Sequence, residues 1–262
     1  MPSCRPAAPA PRLPSASARV LYVDVDGTLV SPGGDLFGDG STALVDALLA
    51  ARAAGLAVVP VTGRGRVQVR ELCRLLGLPR GIAELGCIHL EGNEVRYELG
   101  RFPFVGETPV EAMVNRGPIN LVRVTADLEP HDPWNEGREA TLILRGAADV
   151  EDVNKTLAHH GFEWCEFVDN GALARRPGSR AYHLAPAGTG KVAGVAIDRR
   201  RHGIDKADAV YIGDSAADLA CAPEVGECWL VANAEPDLEW PLRTSASYGA
   251  GVAEVLSRLL GI

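Results

Sequence analysis

Arg19–Val30 reads RVLYVDVDGTLV. Four apolar residues, Val20 to Val23, lead into two aspartates one residue apart, Asp24 and Asp26, and then Gly27-Thr28. A short apolar run closed by turn residues is the pattern of a fully buried strand. Alternate residues of a strand face the same way, so Asp24 and Asp26 are expected together at its C-terminal end. Two carboxylates there make a site.

Working outward, Ser31-Pro32-Gly33-Gly34 and Phe37-Gly38-Asp39-Gly40 carry turn signals, and Ser41 is a suitable N-cap for the next helix. That helix shows Leu44, Val45, Leu48 and Leu49 on one side and stops at Gly55. A second apolar strand, Leu56–Val61, runs into Thr62-Gly63-Arg64. The helix after it has Val67, Leu72, Leu75 and Leu76 as its apolar side and ends at Gly77. Strands and helices alternating through short connections indicate a parallel sheet covered on both faces.

From about Glu91 the texture changes. The pattern predicts a helix over 109–116, a half-buried strand over Ile119–Thr125, a loop over 131–137, and a strand over Ala140–Leu144. A helix over 150–159 and strands over 162–168 and 173–176 follow. A strand at Arg180–Leu184 leads back to the first pattern. Gly190-Lys191 opens a helix, and a strand over 207–212 ends in Gly213-Asp214-Ser215-Ala216-Ala217-Asp218. The strand 227–231 and a helix from about Gly251 complete the chain. The expected fold is α/β: a Rossmann-like doubly wound parallel-sheet core, 19–90 and 184–262, with an inserted α+β cap domain at 91–183 built on an open antiparallel sheet. Residues 1–18, rich in Pro, Ala and Ser, are expected to be a disordered tail.

Composition narrows the class. The 262 residues are 47% hydrophobic and 23% charged, with a net charge of −8. That balance argues against nucleic acid or an anionic membrane as the partner. No apolar run approaches the roughly 20 residues needed to span a bilayer. The six cysteines, at 4, 73, 87, 165, 221 and 228, form no CxxC pair. They read as reduced thiols, and the first eighteen residues lack the apolar stretch of a secretory signal, so a cytoplasmic protein is expected.

Three apolar strands thus end in polar residues: Asp24-x-Asp26, Thr62-Gly63-Arg64 and Gly213-Asp214-Ser215. In open α/β sheets ligands sit outside the carboxyl ends of the strands, so these endings are expected to converge. Clustered carboxylates repel one another unless a cation is present. Asp24, Asp214 and Asp218 offer hard oxygens suited to Mg²⁺. The Thr62 hydroxyl and the Lys191 ammonium are suited to phosphate oxygens. A carboxylate nucleophile, a metal, a hydroxyl and an ammonium are what phosphoryl transfer requires.

On these four ordered motifs the chain resembles the haloacid dehalogenase (HAD) superfamily of phosphatases. The resemblance implies that Asp24 attacks phosphorus to form an aspartyl-phosphate, and that Asp26 serves as acid and then base. It places Mg²⁺ on Asp24, the Asp26 backbone carbonyl and Asp214, with Asp218 in support. Thr62 and Lys191 would hold the transferring phosphoryl, and Thr28, Gly63, Arg64, Arg175 and Arg176 are candidate substrate contacts. The second aspartate of the first motif argues against the dehalogenase branch. Only 37 residues separate Asp24 from Thr62, whereas 128 separate Thr62 from Lys191. An insertion at the second place resembles a C2 cap, and its mixed strand and helix pattern resembles the C2B (Cof-like) group. The implied substrate is a small phosphorylated metabolite such as a sugar or polyol phosphate; a phosphosugar mutase or a catalytically idle ligand sensor of the same fold are the alternatives. Two positions depart from the group's pattern: Ala217 stands where Asn is usual, and Leu85 where Glu-Asn-Gly has its Asn.

Overall fold

The computed structural model describes residues 18–262 except 39–41, 174, 175 and 177. The first seventeen residues of the expected tail, the proposed N-cap Ser41, and Arg175 therefore lie outside the described residues. Strands β1 (Val20–Val23), β2 (Ala57–Pro60), β3 (Arg80–Ala83), β4 (Ile88–Glu91) and β5 (Glu94–Tyr97) fall in the first part of the chain, with helices α1 (Ala43–Ala53) and α2 (Arg66–Leu76) between them. Then come α3 (Pro109–Asn115), α4 (Pro118–Ala126), β6 (Glu129–Pro130), β7 (Leu142–Gly146), α5 (Val150–His159), β8 (Cys165–Ala172) and β9 (Arg180–Pro186). Helix α6 (Lys191–Arg201), β10 (Ala209–Gly213), α7 (Ala216–Leu219), β11 (Glu227–Leu230) and α8 (Tyr248–Leu260) finish the fold.

A parallel sheet in the order β11-β10-β1-β2 lies at the centre. Strand parity on β1 divides its two faces. Leu21 and Val23 enter the apolar layer built with α1 and α8, while Val20 and Tyr22 enter the layer that includes Val195 of α6. Helix α6 is fixed to this sheet by a buried polar network. Asp198 accepts from Tyr22 Oη at 2.8 Å and pairs with Arg80 Nε at 3.0 Å. Both side chains of this ion pair are more than nine-tenths buried, and the Asp198 carboxylate is shared between Arg80 and Tyr22.

A second unit is an antiparallel sheet in the order β6-β7-β9-β8, with α3, α4 and α5 packed through Met113, Val122, Val153 and Leu157. Strand β9 belongs to this sheet as far as Pro186, and α6 begins at Lys191. A third, small meander of β3, β4 and β5 follows α2 and touches the central sheet through a parallel bridge between Val61 and Ile82.

Several local expectations need correction. The segment Ile119–Thr125, read as a strand, is the body of α4. Its alternation breaks at the adjacent Leu121 and Val122, and Gly117-Pro118 starts a helix, with proline's fixed φ at the first helical position. One apolar position, Val122, turns inward, and Val124 is left exposed. The meander β3–β5 was not anticipated, and neither Leu173 nor Arg176 is in a strand. Among the described residues no helix is long and apolar enough to cross a membrane.

Candidate active site

The strand parity that buries Tyr22 against α6 carries on to Asp24, and α6 begins with Lys191. The two meet: Lys191 Nζ donates to Asp24 Oδ1 at 2.7 Å and to Asp218 Oδ1 at 2.8 Å. Lys191 sits in the first turn of a helix, where the dipole disfavours a cation. The two carboxylates reverse that preference. Burial opposes its charge, yet Asp218 and Asp24 hold its pKa above the ordinary lysine value.

Asp24 and Asp26 differ in exposure and in partner, because β1 ends at Val23 and the backbone then turns. Thr28 N and Val30 N both donate to Val25 O, and Gly27 adopts φ +90°. Asp24 is left buried, while the Asp26 side chain is 60% exposed and forms a two-point pair with Arg64, Nε at 2.9 Å and Nη2 at 2.6 Å. The two acids thus have different cationic partners, a buried lysine and a partly buried arginine.

Asp214 follows β10, and its Oδ1 accepts from Thr28 Oγ1 at 3.2 Å. Thr28, expected among the substrate contacts, is fully buried and supports Asp214 instead. Carboxylate oxygens of Asp24, Asp214 and Asp218 lie within 4.8 Å of one another. Asp218 is the most committed of the three. Besides Lys191, it accepts from Tyr211 Oη at 2.7 Å and Ser215 Oγ at 2.6 Å, and from the backbone N–H groups of Asp214 and Ser215. Burial works against its charge, but Lys191, Ser215 and Tyr211 hold its carboxyl below the usual range.

The other two acids are pushed the opposite way. Burial, with the charges of Asp218 and Asp214, raises Asp24 well above the ordinary carboxylate value despite Lys191. Burial and Asp218 push Asp214 up to about 7. Two raised carboxyls with unspent oxygens beside a saturated third form a donor set lacking positive charge. Hard oxygen donors of this kind fit Mg²⁺.

Thr62 and Gly63 line the same crevice at the end of β2. Thr62 Oγ1 accepts from Arg64 N at 3.1 Å, which leaves the hydroxyl proton for a ligand. Thr62 O accepts from Leu85 N at 3.1 Å. A trans peptide aims its N–H opposite to its C=O, so the Gly63 N–H points the other way, towards the crevice. A Cβ on Gly63 would stand 2.9 Å from His183 Nε2 and 3.3 Å from Asn170 Nδ2. Those two residues come from β9 and β8, so the antiparallel sheet lies directly over the strand ends.

Sequence reasoning gave His183 no facing, noted Glu84 without assigning it a role, and missed Asn170, Tyr211 and Arg138. It also missed Asn233, which donates to Gly27 O at 2.8 Å. His183 is buried, and burial followed by the charges of Arg138 and Lys191 keeps its ring neutral. Arg176, expected near the substrate, is instead paired with Glu129 of β6 at 3.0 Å, with both side chains about half exposed.

A parallel sheet with an aspartate-rich strand end, a helix-borne lysine closing on it and an antiparallel unit over the top is a fold shared with haloacid dehalogenase-like hydrolases of known structure. No protein-family model matches it. Among curated proteins it is similar to the phosphoglycolate phosphatase of Metallosphaera sedula, 29% identical over 246 residues, covering 92% of this chain and 99% of that one. It is also similar to the phosphoglycolate phosphatase of Methanothermobacter thermautotrophicus, 28% identical over 246 residues, covering 93% and 99%. Among solved structures, a Thermoplasma acidophilum protein superposes with a TM-score of 0.68 at 19% identity, covering 92% of this chain and 98% of that one. A HAD subclass IIB sugar phosphatase superposes at 0.66 and 18%, covering 94% and 100%.

Proposed function

We propose that the protein is a Mg²⁺-dependent phosphatase of a small phosphorylated metabolite, acting through an aspartyl-phosphate on Asp24. The observation that carries this reading is the buried Asp24 carboxylate, with one oxygen held by Lys191 at 2.7 Å and two further acids around it. Asp24, Asp214 and the Asp26 backbone carbonyl would hold the metal. When bound, it supplies the positive charge that keeps Asp24 ionised and offsets charge on the phosphoryl oxygens.

The free carboxylate oxygen of Asp24 attacks phosphorus as the ester P–O bond breaks, and Asp26 gives a proton to the departing oxygen. Asp26 then takes a proton from water as that water attacks the aspartyl-phosphate, which releases inorganic phosphate and restores Asp24. Lys191, the Thr62 hydroxyl and the Gly63 N–H steady the transferring group. Arg64 orients Asp26.

Two features support a short leaving group. The relatives in two archaeal species carry the name phosphoglycolate phosphatase, and His183 and Asn170 crowd the space above Gly63. A two- or three-carbon phospho-acid suits that space better than a hexose phosphate. The test is phosphate release with Mg²⁺ from phosphoglycolate, other short phospho-acids, polyol phosphates and hexose phosphates. The expected result is turnover that favours the short acids and is abolished by Asp24→Asn. An active Asp24→Asn would overturn the mechanism, and a preference for hexose phosphates would overturn the substrate reading.

A further inference from the structure

All three carbonyls of the Thr62-Gly63-Arg64 turn are claimed from behind. Leu85 N donates to Thr62 O at 3.1 Å, and Glu84 N to Arg64 O at 2.9 Å. The middle carbonyl, Gly63 O, accepts not from a neighbouring strand but from Arg138 Nη2 at 2.7 Å. Arg138 lies 75 residues away in the connection from β6 to β7, on the antiparallel unit. A buried backbone carbonyl needs a partner, and here the partner is a charged side chain.

Arg138 is itself held rigidly. Its Nε donates to Thr141 O at 2.8 Å, and Glu84 lies 3.9 Å from its guanidinium. Glu84 is fully buried and accepts from the backbone N–H groups of Ala140 and Thr141, each at 2.9 Å, and of Glu139 at 3.2 Å. Glu84 and Leu85 adopt φ +49° and +54°. Left-handed backbone costs a non-glycine residue roughly 1–2 kcal/mol. This strained pair both supplies two donors to the Thr62 turn and aims the Glu84 carboxylate at 139–141.

The Gly63–Arg64 peptide joins Arg138 to the chemistry. Its C=O is fixed by Arg138 on one side, so its N–H, on Arg64, is fixed on the other, where it meets Thr62 Oγ1 at 3.1 Å. With one lone pair of Oγ1 engaged by that N–H, the hydroxyl proton remains available to donate to a ligand. The geometry points to Arg138 as a positioning residue: carried by the cap, it orients the Thr62 hydroxyl through the Gly63–Arg64 peptide and couples phosphoryl transfer to seating of the cap. This rests on the phosphatase reading and adds to it a residue that touches no reacting atom.

The test is a double-mutant cycle between Arg138→Met and Thr62→Val, read with p-nitrophenyl phosphate and, in parallel, as affinity for orthovanadate. Removing an outer partner of this kind is expected to lower kcat by about 10–100-fold, with KM nearly unchanged. In the Thr62→Val background the same change should cost less than about twofold, since the hydroxyl it acts on is gone. Arg138→Lys, which keeps a donor for Gly63 O, should recover most of kcat, and Arg138→Gln replaces Met in the cycle if that variant does not fold. A full loss that persists without the Thr62 hydroxyl, or an effect confined to KM, would overturn the inference and leave the phosphatase reading intact. An active Asp24→Asn enzyme would overturn the phosphatase reading, while the vanadate cycle would still decide the role of Arg138.

Discussion

Replacing Lys191 by Met tests the electrostatic logic of the site. The ammonium sits 2.7 Å from Asp24 and 2.8 Å from Asp218, and all three side chains are at least nine-tenths buried. Removing one member of a buried pair strands its partners, at a cost of about 3–5 kcal/mol. For a chain of this size each kcal/mol moves the melting temperature by roughly 2–4 °C, so the variant should melt roughly 6–20 °C below the parent at pH 8 in EDTA. Mg²⁺ at about a hundred times its Kd should return roughly 2.7 kcal/mol.

The sign of the pH dependence follows from Asp24. Its folded-state carboxyl is already raised by burial and by its acidic neighbours, and it rises further once Lys191 is gone. A carboxyl raised on folding binds more protons in the folded than in the unfolded chain, from about pH 4 up to its raised value. Stability of the variant therefore grows as the pH falls through that window. In the parent, Asp218 is lowered with Lys191 as the chief attraction, so its contribution is present above about pH 4 and lost below. The melting gap should narrow steadily from pH 8 to pH 5. Differential scanning calorimetry in EDTA across that range is the assay. Equal melting at pH 8, or a gap that widens on acidification, would refute the reasoning.

Two further predictions concern the first motif. Gly27 stands at φ +90°, and a Cβ there would lie 2.4 Å from Asp214 Oδ2; Gly27→Ala should weaken Mg²⁺ binding by more than about tenfold by isothermal calorimetry, since the acid must move. In Asp26→Asn the base is lost, but p-nitrophenolate leaves without a proton, so stopped-flow should show a burst of one equivalent and then a stall, whereas an alkyl phosphate should show no burst.

Much of the core was legible because its signals are local. Val20–Val23 reads as a buried strand, Val150–His159 as a helix, and each functional strand end is marked by a change from apolar to polar residues. Order along the chain, together with the rule that ligands sit at the carboxyl ends, was enough to bring Asp24 and Asp214 together. What strand parity could not give is the difference in exposure between Asp24 and Asp26, because the strand's last residue is Val23. β1 ends at Val23 and the backbone turns at Val25; Asp24 is held by Lys191 and Asp26 by Arg64.

The cap was harder to read for a different reason. Ile119–Thr125 alternates apolar and polar residues, except at the adjacent Leu121 and Val122, over a span too short to separate a period of 2 from one of 3.6, and Gly117-Pro118 decides the outcome from outside it. Arg138 belongs to no motif at all, and Glu84 was read only as the first residue of a Glu-Leu-Gly stretch. What could be known in advance is that a turn leaving a buried sheet exposes carbonyls that must find donors; what could not be known is that one donor crosses 75 residues from the other unit. That crossing ties the catalytic turn to the segment 138–141, which neither unit's own pattern reveals. A site built on strand ends can be read from the strands, but the groups that hold it in register come from wherever the fold satisfies its backbone.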